Sequence, residues 1–572
     1  MFDPESRRFM ARGLALGAIK PLIDGQVPVH GPAEVTSTSI VWPLATGRFV
    51  IDIKSGNPLR LHCGVEGVDA ALDSIGIRFG EVTRVQRYLR HGYQSWDGSF
   101  FVAPGTQAGD GPPLKAPTLG YAATALLPEA GGAVVLGFVR HDRFQTRFRF
   151  GGTGEAMTLD AETLLDRTGE YAGEPMVLFG GDEVEPALRR WAELVAANAP
   201  LPPRIPDRRI TGWCSWYNHY AMIDAATIRA ELQSCRDFRD RHDAPLEVLQ
   251  IDDGFTPEMG DWLDVKPQFP DGMKPLIAEI AAAGFTPGLW IAPFMVGNRS
   301  RLYASHPDWV VQDIAGGPLV QMEFYAEFRW HKRSEEYYIL DVTHPDAARY
   351  IAEVFRTWRH DWGARYFKTD FMLFGSEHGP DRAVWHEAGL SRIAIWRRMA
   401  ALIRESIDDA LWLGCGCPLW ASVGYVDAVR IGRDIGVSWE GEYSAESLLR
   451  DRASRNHAAG ILWQADPDCV LLRNRFHHLD EIQIETLARF AAAGEDVLMT
   501  SDTLEQLSEP RATLFADLLK QQAAPVSFPR LGAPGNVLRY HCATGDFAVN
   551  TSNNLVIYER RSLPGFTTIS FG

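Results

Sequence analysis

The chain has 572 residues, 46% hydrophobic and 23% charged, the balance of a globular protein able to bury a large core. Its 57 basic and 73 acidic side chains leave a net charge of −16, which argues against a nucleic-acid backbone or an anionic membrane as partner and leaves a neutral ligand open. Its 17 Trp, 16 Tyr and 29 Phe offer flat apolar rings with polar edges that suit sugar faces, although any one of them reads equally well as core. The cysteines (Cys63, Cys214, Cys235, Cys415, Cys417, Cys469, Cys542) are scattered and odd in number. That pattern is unlike a disulfide framework or a zinc ribbon and favours a reducing compartment. Near the N-terminus, paired arginines precede a short apolar run that Lys20 and Pro21 interrupt. It is too short for an export signal, and no run of about 18 apolar residues occurs elsewhere, so a cytoplasmic protein without a membrane span is expected.

From about residue 25 to 180, SIVWPLA, RFVIDIK, IGIRFGEVTRVQRYL, AVVLGFV and RFQTRFRF alternate apolar and polar residues between Gly, Pro and Asp-Gly turns. They predict a β-sandwich of supersandwich size. Residues 184–199 have helical spacing (Leu188, Trp191, Leu194, Val195), and a proline-rich joint, LPPRIPDRR, follows at 201–209. The period then changes. TGWCSW, LEVLQID, FTPGLWIAP, RYFKTD, LWLGC, DAVRIG, GILWQAD and DVLMTSD begin near residues 211, 246, 285, 365, 411, 427, 460 and 496. Apolar strands separated mostly by amphipathic helices predict a closed (β/α)8, or TIM, barrel. The third-to-fourth connection is long and the fifth-to-sixth short. Beyond residue 520, NVLRYHCA, DFAVNTS and LVIYERRS predict a small C-terminal antiparallel sheet. The expected domains are 1–200, 201–515 and 516–572.

The runs end in polar groups: Asp252-Asp253, Lys368 and Asp370, Cys415, Arg430 and then Asp434, Asp466 and Asp468, Ser501 and Asp502. A barrel's active site lies at the C-terminal ends of its strands, so these groups form a candidate site; a stabilising salt-bridge network at the rim is the alternative. Lys368 and Asp370 are two apart and face the same side, so the lysine is expected to keep that carboxylate ionised as a nucleophile requires. Asp434, past the sixth strand, lies across the mouth. Facing carboxylates stand about 5–5.5 Å apart in retaining glycosidases and about 6.5–9.5 Å apart in inverting ones. Asp252-Asp253 suits two neighbouring hydroxyls, or a metal, but no HxH or HExxH accompanies it. Trp216 and Trp290 either shape a pocket or fill the barrel.

These segments resemble the α-galactosidases of glycoside hydrolase family 36, especially the shorter bacterial branch. The resemblance runs in order through TGWCSWYNHY, LQIDDGF, GDWL, GFTPGLWIAPF, HPDWVV, RYFKTDF, LGCGCPL, VDAVRIGRD and DPDCVLLR, with GYQSW in the sandwich region. It implies Asp370 as nucleophile and Asp434 as general acid, then base. It implies Asp252 and Asp253 on the 4- and 6-hydroxyls, Lys368 on neighbouring hydroxyls, and Cys415 and Arg430 toward the 2-hydroxyl. Trp290, Trp216 and Tyr217 would line the pocket and Trp96 would close it. The implied substrate is an α-galactoside oligosaccharide, with no cofactor and no metal. The chain departs from the branch beside the acid, where Arg433 stands in place of proline and Ile435-Gly436 follow. SEHGPDRAVWHEAG matches no motif. The expected chemistry is retaining, exo-acting hydrolysis. Rivals are transglycosylation or an α-N-acetylgalactosaminide substrate, a non-catalytic galactoside binder, and a metal-dependent barrel hydrolase. Cys415 and Arg430 argue against a bulky 2-substituent. Composition and motifs leave the oligomeric state open.

Overall fold

A parallel strand covered by helices outside and by packed side chains inside must be apolar along its whole length. In the computed structural model, which describes residues 1–107, 116–153, 156–323, 334–435, 438–441, 444–473 and 478–571, eight such strands occur. They are β1 (Thr211–Cys214), β2 (Val248–Ile251), β3 (Thr286–Ile291), β4 (Tyr366–Thr369), β5 (Leu411–Gly414), β6 (Ala428–Arg430), β7 (Gln464–Asp466) and β8 (Leu498–Thr500). They pair in parallel in sequence order, and β8 returns to β1 through Gly212↔Met499. The remaining seam, between β7 and β8, is bridged by Val497 N–H donating to Ala465 O at 2.8 Å. The barrel is nearly closed, as expected, with strands shorter than their apolar runs.

Helices form where caps and apolar spacing agree. The linker helix α1 (Val184–Asn198) buries Leu188, Trp191 and Val195. Of the barrel helices, α2 (Ala225–His242) is capped by Asp224, α3 spans Met273–Ala282, and α4 (Pro345–Arg356) starts at Pro345 and buries Ala347, Ile351, Val354 and Phe355. Ser391 caps α5 (Arg392–Ile407), Ser444 caps α6 (Ala445–Arg455), and Asp480 with Gln483 forms a capping box on α7 (Glu481–Ala491). The short β5–β6 connection consists of turns.

The first 181 residues build one seven-stranded and one nine-stranded antiparallel sheet. The inward residues of both, among them Phe49, Ile51, Leu61, Phe79, Leu136 and Phe148, form a single buried core. The apolar run near the N-terminus is one of these strands, Leu14–Ile23, paired with Ser74–Val82. At the C-terminal end, Val537–Cys542, Gly545–Asn550 and Thr568–Ser570 make a three-stranded sheet. No described helix is long and apolar enough to cross a membrane.

Sheets and barrel meet along a seam held by buried polar and aromatic groups. Arg455, at the end of α6, donates to Gln94 O at 2.9 Å, Ser95 O at 3.0 Å, Ser99 Oγ at 2.9 Å and Ile431 O, while Asp451 accepts Ser99 N–H at 2.8 Å. Beside them His91, His141 and His457 pack with Trp191 and Trp420; the His457 ring stacks on Trp420 and meets His91 edge-on at 5.3 Å. Burial, with Arg189 and Arg455 nearby, drives the His457 pKa down to about 3, and burial takes His141 to about 4. Neither His457 nitrogen reaches hydrogen-bonding geometry, although Ser454 lies beside the ring. Because these folded-state values lie below the unfolded value, the stability they contribute is complete above pH ~6.5. It declines as pH falls toward about 4 and 3, by about 1.4 kcal/mol per pH unit for each histidine. His457→Phe, which keeps the stack and takes up no proton, should flatten that decline in urea unfolding curves recorded from pH 7 to 4; an unchanged slope would refute the assignment.

Candidate active site

Asp370 follows β4 immediately. Its N–H donates to Ile291 O at 2.8 Å, anchoring it to the end of β3. Phe371 then turns through the left-handed region at φ 51° and brings its N–H to Asp370 Oδ1 at 2.8 Å, while Trp290 Nε1 donates to Oδ2 at 3.1 Å. Each oxygen accepts one bond, so the carboxylate keeps a single orientation with lone pairs to spare.

Lys368 is not the ion-pair partner of Asp370. Its Nζ lies 3.0 Å from Asp252 Oδ2. Inward side chains of a barrel form layers drawn from alternate strands, which puts the β4 lysine opposite the end of β2. Burial opposes the Lys368 charge, but Asp252 and then Asp370 outweigh it and raise the pKa well above the usual lysine value. Gln250 Nε2 also bonds Asp252 Oδ2 at 2.5 Å, and Asp253 N–H bonds Oδ1 at 2.9 Å. The lysine ammonium therefore stands where a metal on that oxygen would have to sit. Asp253 is buried and faces the same cavity.

On the opposite rim, Arg430 at the end of β6 meets three carboxylates. It donates to Asp434 Oδ1 at 3.1 Å, Asp466 Oδ2 at 3.1 Å and Asp468 Oδ1 at 2.9 Å. Asp468 sits at φ 77°, a costly backbone for a non-glycine residue. Its Oδ2 accepts Ile435 N–H at 2.8 Å and the Tyr217 hydroxyl. Burial pushes its pKa up to about 6, against the pull of Arg430. Burial, with Asp434 and Asp468 beside it, also drives the Tyr217 phenol far up, so it remains a donor.

Asp370 and Asp434 line one cavity of about 1220 Å³ between the barrel mouth and the N-terminal sheets. Asp252, Asp253, Lys368, Trp290, Trp216, Tyr217 and Trp96 line it too. Trp96 comes from the sheet side and packs on Phe371 at 5.2 Å. It lies so close to the β5 end that a Cβ on Gly416, at φ 62°, would fall 2.9 Å from its ring. Cys415 and Arg430 are buried and are not among the lining residues. Arg430 is occupied by its carboxylates, and burial pushes the Cys415 thiol well up. Sequence reasoning noted Asp466 and Asp468 but gave them no role, and it missed Gln250. It also left SEHGPDRAVWHEAG unassigned, whose Glu377, His378, Asp381 and Arg382 line the outer cavity.

Residues 239–390, from α2 through the β4–β5 loop, match the family model described as Melibiase. Over 85 residues the chain is 34% identical to α-galactosidase 2 of Pediococcus pentosaceus, covering 14% of this chain and 12% of that protein. Over 165 residues it is 28% identical to α-galactosidase C of Emericella nidulans, covering 27% and 20%. The matched segments thus span a fifth or less of either relative. An α-galactosidase from Thermus thermophilus, solved with p-nitrophenyl α-D-galactopyranoside, superposes with a TM-score of 0.66 at 25% identity, covering 90% of this chain and 98% of that one. The chain is similar in fold, and over part of its barrel in sequence, to α-galactosidases.

Within this site, the departure at Arg433 has a structural counterpart. Arg433 Nε donates to Trp96 O at 3.1 Å, so the loop carrying Asp434 is tied to the loop carrying Trp96. Gly436 lies outside the described residues. The Asp434 loop thus hangs on two anchors, Arg433 and the Asp468–Ile435 bond. Asp468→Asn keeps the shape but removes the charge that Arg430 and Ile435 N–H address. Loss of a charge-assisted bond of this kind is expected to lower kcat by about ten- to a hundredfold, with KM changing less. Steady-state kinetics at pH 7 would decide it, and a kcat close to wild type would rule out the anchoring role.

Proposed function

We propose that the protein is a retaining, exo-acting α-galactosidase that removes terminal α-galactosyl units by double displacement. The observation that carries this reading is the pair Asp370 and Asp434 on opposite rims of one cavity, the first held in a single orientation and the second half-exposed at 46%. In the first step Asp434 gives its proton to the glycosidic oxygen as the C1–O bond breaks. Asp370 attacks C1 from the other face, forming a β-linked galactosyl ester, and the alcohol leaves. In the second step the Asp434 carboxylate takes a proton from water, whose oxygen attacks C1 and releases Asp370. Two inversions return α-galactose. Asp252, Asp253 and Lys368 are assigned to the galactose hydroxyls, and Trp290, Trp216, Tyr217 and Trp96 to the pocket walls. The Asp252–Lys368 pair offers both an acceptor and a donor to a vicinal diol.

Carboxylates outnumber cations along the cavity wall, which suits the positive charge that develops on the sugar in an oxocarbenium-like transition state. The Thermus protein has also been solved with stachyose, and we extend that substrate class, α-galactoside oligosaccharides, to this chain. Seven free cysteines support our placing it in a reducing cytoplasm. The experiment is proton NMR of p-nitrophenyl α-galactoside hydrolysis, in which the α-anomer of galactose should appear first. Asp370→Asn should lower turnover by at least about a thousandfold, roughly 4 kcal/mol of barrier, with galactose still bound. Initial release of β-galactose, or near-normal turnover of the variant, would sink the mechanism.

A further inference from the structure

Gln250 lies one layer below the cavity floor. It stands on β2 two residues before Asp252, so both side chains point into the barrel. Neither Gln250 nor Cys214 of β1 lines the cavity, whereas Asp252 does. Space for the glutamine comes from β3, where Gly288 is its partner across the sheet. A Cβ on Gly288 would fall 3.3 Å from the Gln250 Cβ and 2.8 Å from the Tyr366 ring.

The side chains of Gln250, Cys214 and Asp252 close a ring of hydrogen bonds. Gln250 Nε2 donates to Asp252 Oδ2 at 2.5 Å and to Cys214 Sγ at 3.5 Å. The Cys214 thiol donates to the same Oδ2 at 3.4 Å. With Lys368 Nζ at 3.0 Å, Oδ2 meets donors from β1, β2 and β4, which fill its lone pairs. Among the described residues Oδ1 accepts one bond, from Asp253 N–H at 2.9 Å, and keeps a lone pair for a hydroxyl. Asp252 is only 1% exposed, so these donors, and not water, set the plane and the charge of its carboxylate. Lys368 supplies the counter-charge. The amide and the thiol add donors without adding a second cation that would repel it.

We propose that Gln250, with Cys214, is a positioning residue that acts on galactose through Asp252, holding that carboxylate ionised and turned to present Oδ1 to a sugar hydroxyl. The proposal rests on the assignment of Asp252 to the galactose hydroxyls.

The test is steady-state hydrolysis of p-nitrophenyl α-galactoside by the wild type, Gln250→Met, Gln250→Glu and Cys214→Ala. Gln250→Met keeps an unbranched side chain and removes both N–H donors. KM should rise about tenfold while kcat changes by less than about threefold, the pattern of a lost hydrogen bond to a charged group that binds away from C1. A glutamine that only filled space would leave KM unchanged. Gln250→Glu sets a second carboxyl against Asp252. Burial and the Asp252 charge raise its pKa, and Lys368, already paired, offsets only part of that rise. The other titratable groups around this layer are Cys214, Tyr366 of β4, Asp370 and Arg430. The protonated carboxyl donates as the amide does, so KM should stay near the wild-type value at about pH 5 and climb as the proton is lost toward about pH 8. Cys214→Ala removes only the weak thiol donor and should raise KM about threefold; it decides the question should neither glutamine variant fold. If the wild type hydrolyses the substrate and KM of the folded variants stays within about 1.5-fold of it at both pH values, the positioning role alone is overturned. If the wild type does not hydrolyse it, the galactosidase reading falls and takes this role with it.

Discussion

One guanidinium under three carboxylates organises the acid side of this site. Arg430 cannot neutralise Asp434, Asp466 and Asp468 together, and two of the three, Asp466 and Asp468, are buried while Asp434 is half-exposed. At an effective dielectric near 20, each of the two buried pairs, with Asp466 and Asp468, is worth about 5 kcal/mol before desolvation, and the pair with the half-exposed Asp434 is worth much less. Removing any one carboxylate would therefore redistribute the rest. Burial, helped by the neighbouring Asp434 and Asp466, pushes Asp468, the most enclosed of the three, up to about 6 while it still serves as an acceptor. Its left-handed backbone, two residues past the end of β7 in the turn after Pro467, is the conformational cost of aiming that acceptor at Ile435 N–H.

The second dependency is the seam. Trp96 approaches the mouth only because its loop is held from below by Arg455 and from the side by Arg433. The sheets therefore supply part of the site wall as well as packing area. Loosening the seam would withdraw Trp96 from Phe371 and open the cavity toward Tyr93 and Tyr121, so that stability of the junction and shape of the pocket are one property. The buried histidines on that seam are neutral partners of Trp191 and Trp420 and stand apart from the cavity lining.

Much of this was legible in the sequence for a definite reason. Parallel strands covered on both faces must be apolar, and they stop where a polar residue reaches the rim, so Asp252, Lys368, Asp370 and Arg430 stood out at the ends of their runs. The partnerships were not legible. Lys368 and Asp252 are 116 residues apart, and their contact follows from which strands share a layer, a property of barrel tilt that spacing along the chain does not encode.

The acid loop shows how a local departure can be absorbed. Proline before the acid, as the resemblance leads one to expect, would restrict the loop through its fixed φ. Arginine at 433 restricts it differently, through a side chain that donates to Trp96 O while its backbone remains free to turn. The restraint then depends on the sheets being in place, because Trp96 belongs to them. The orientation of Asp434, the closure by Trp96 and the docking of the N-terminal sheets are in this way coupled through one side chain. The site is finished only when sheets and barrel have come together.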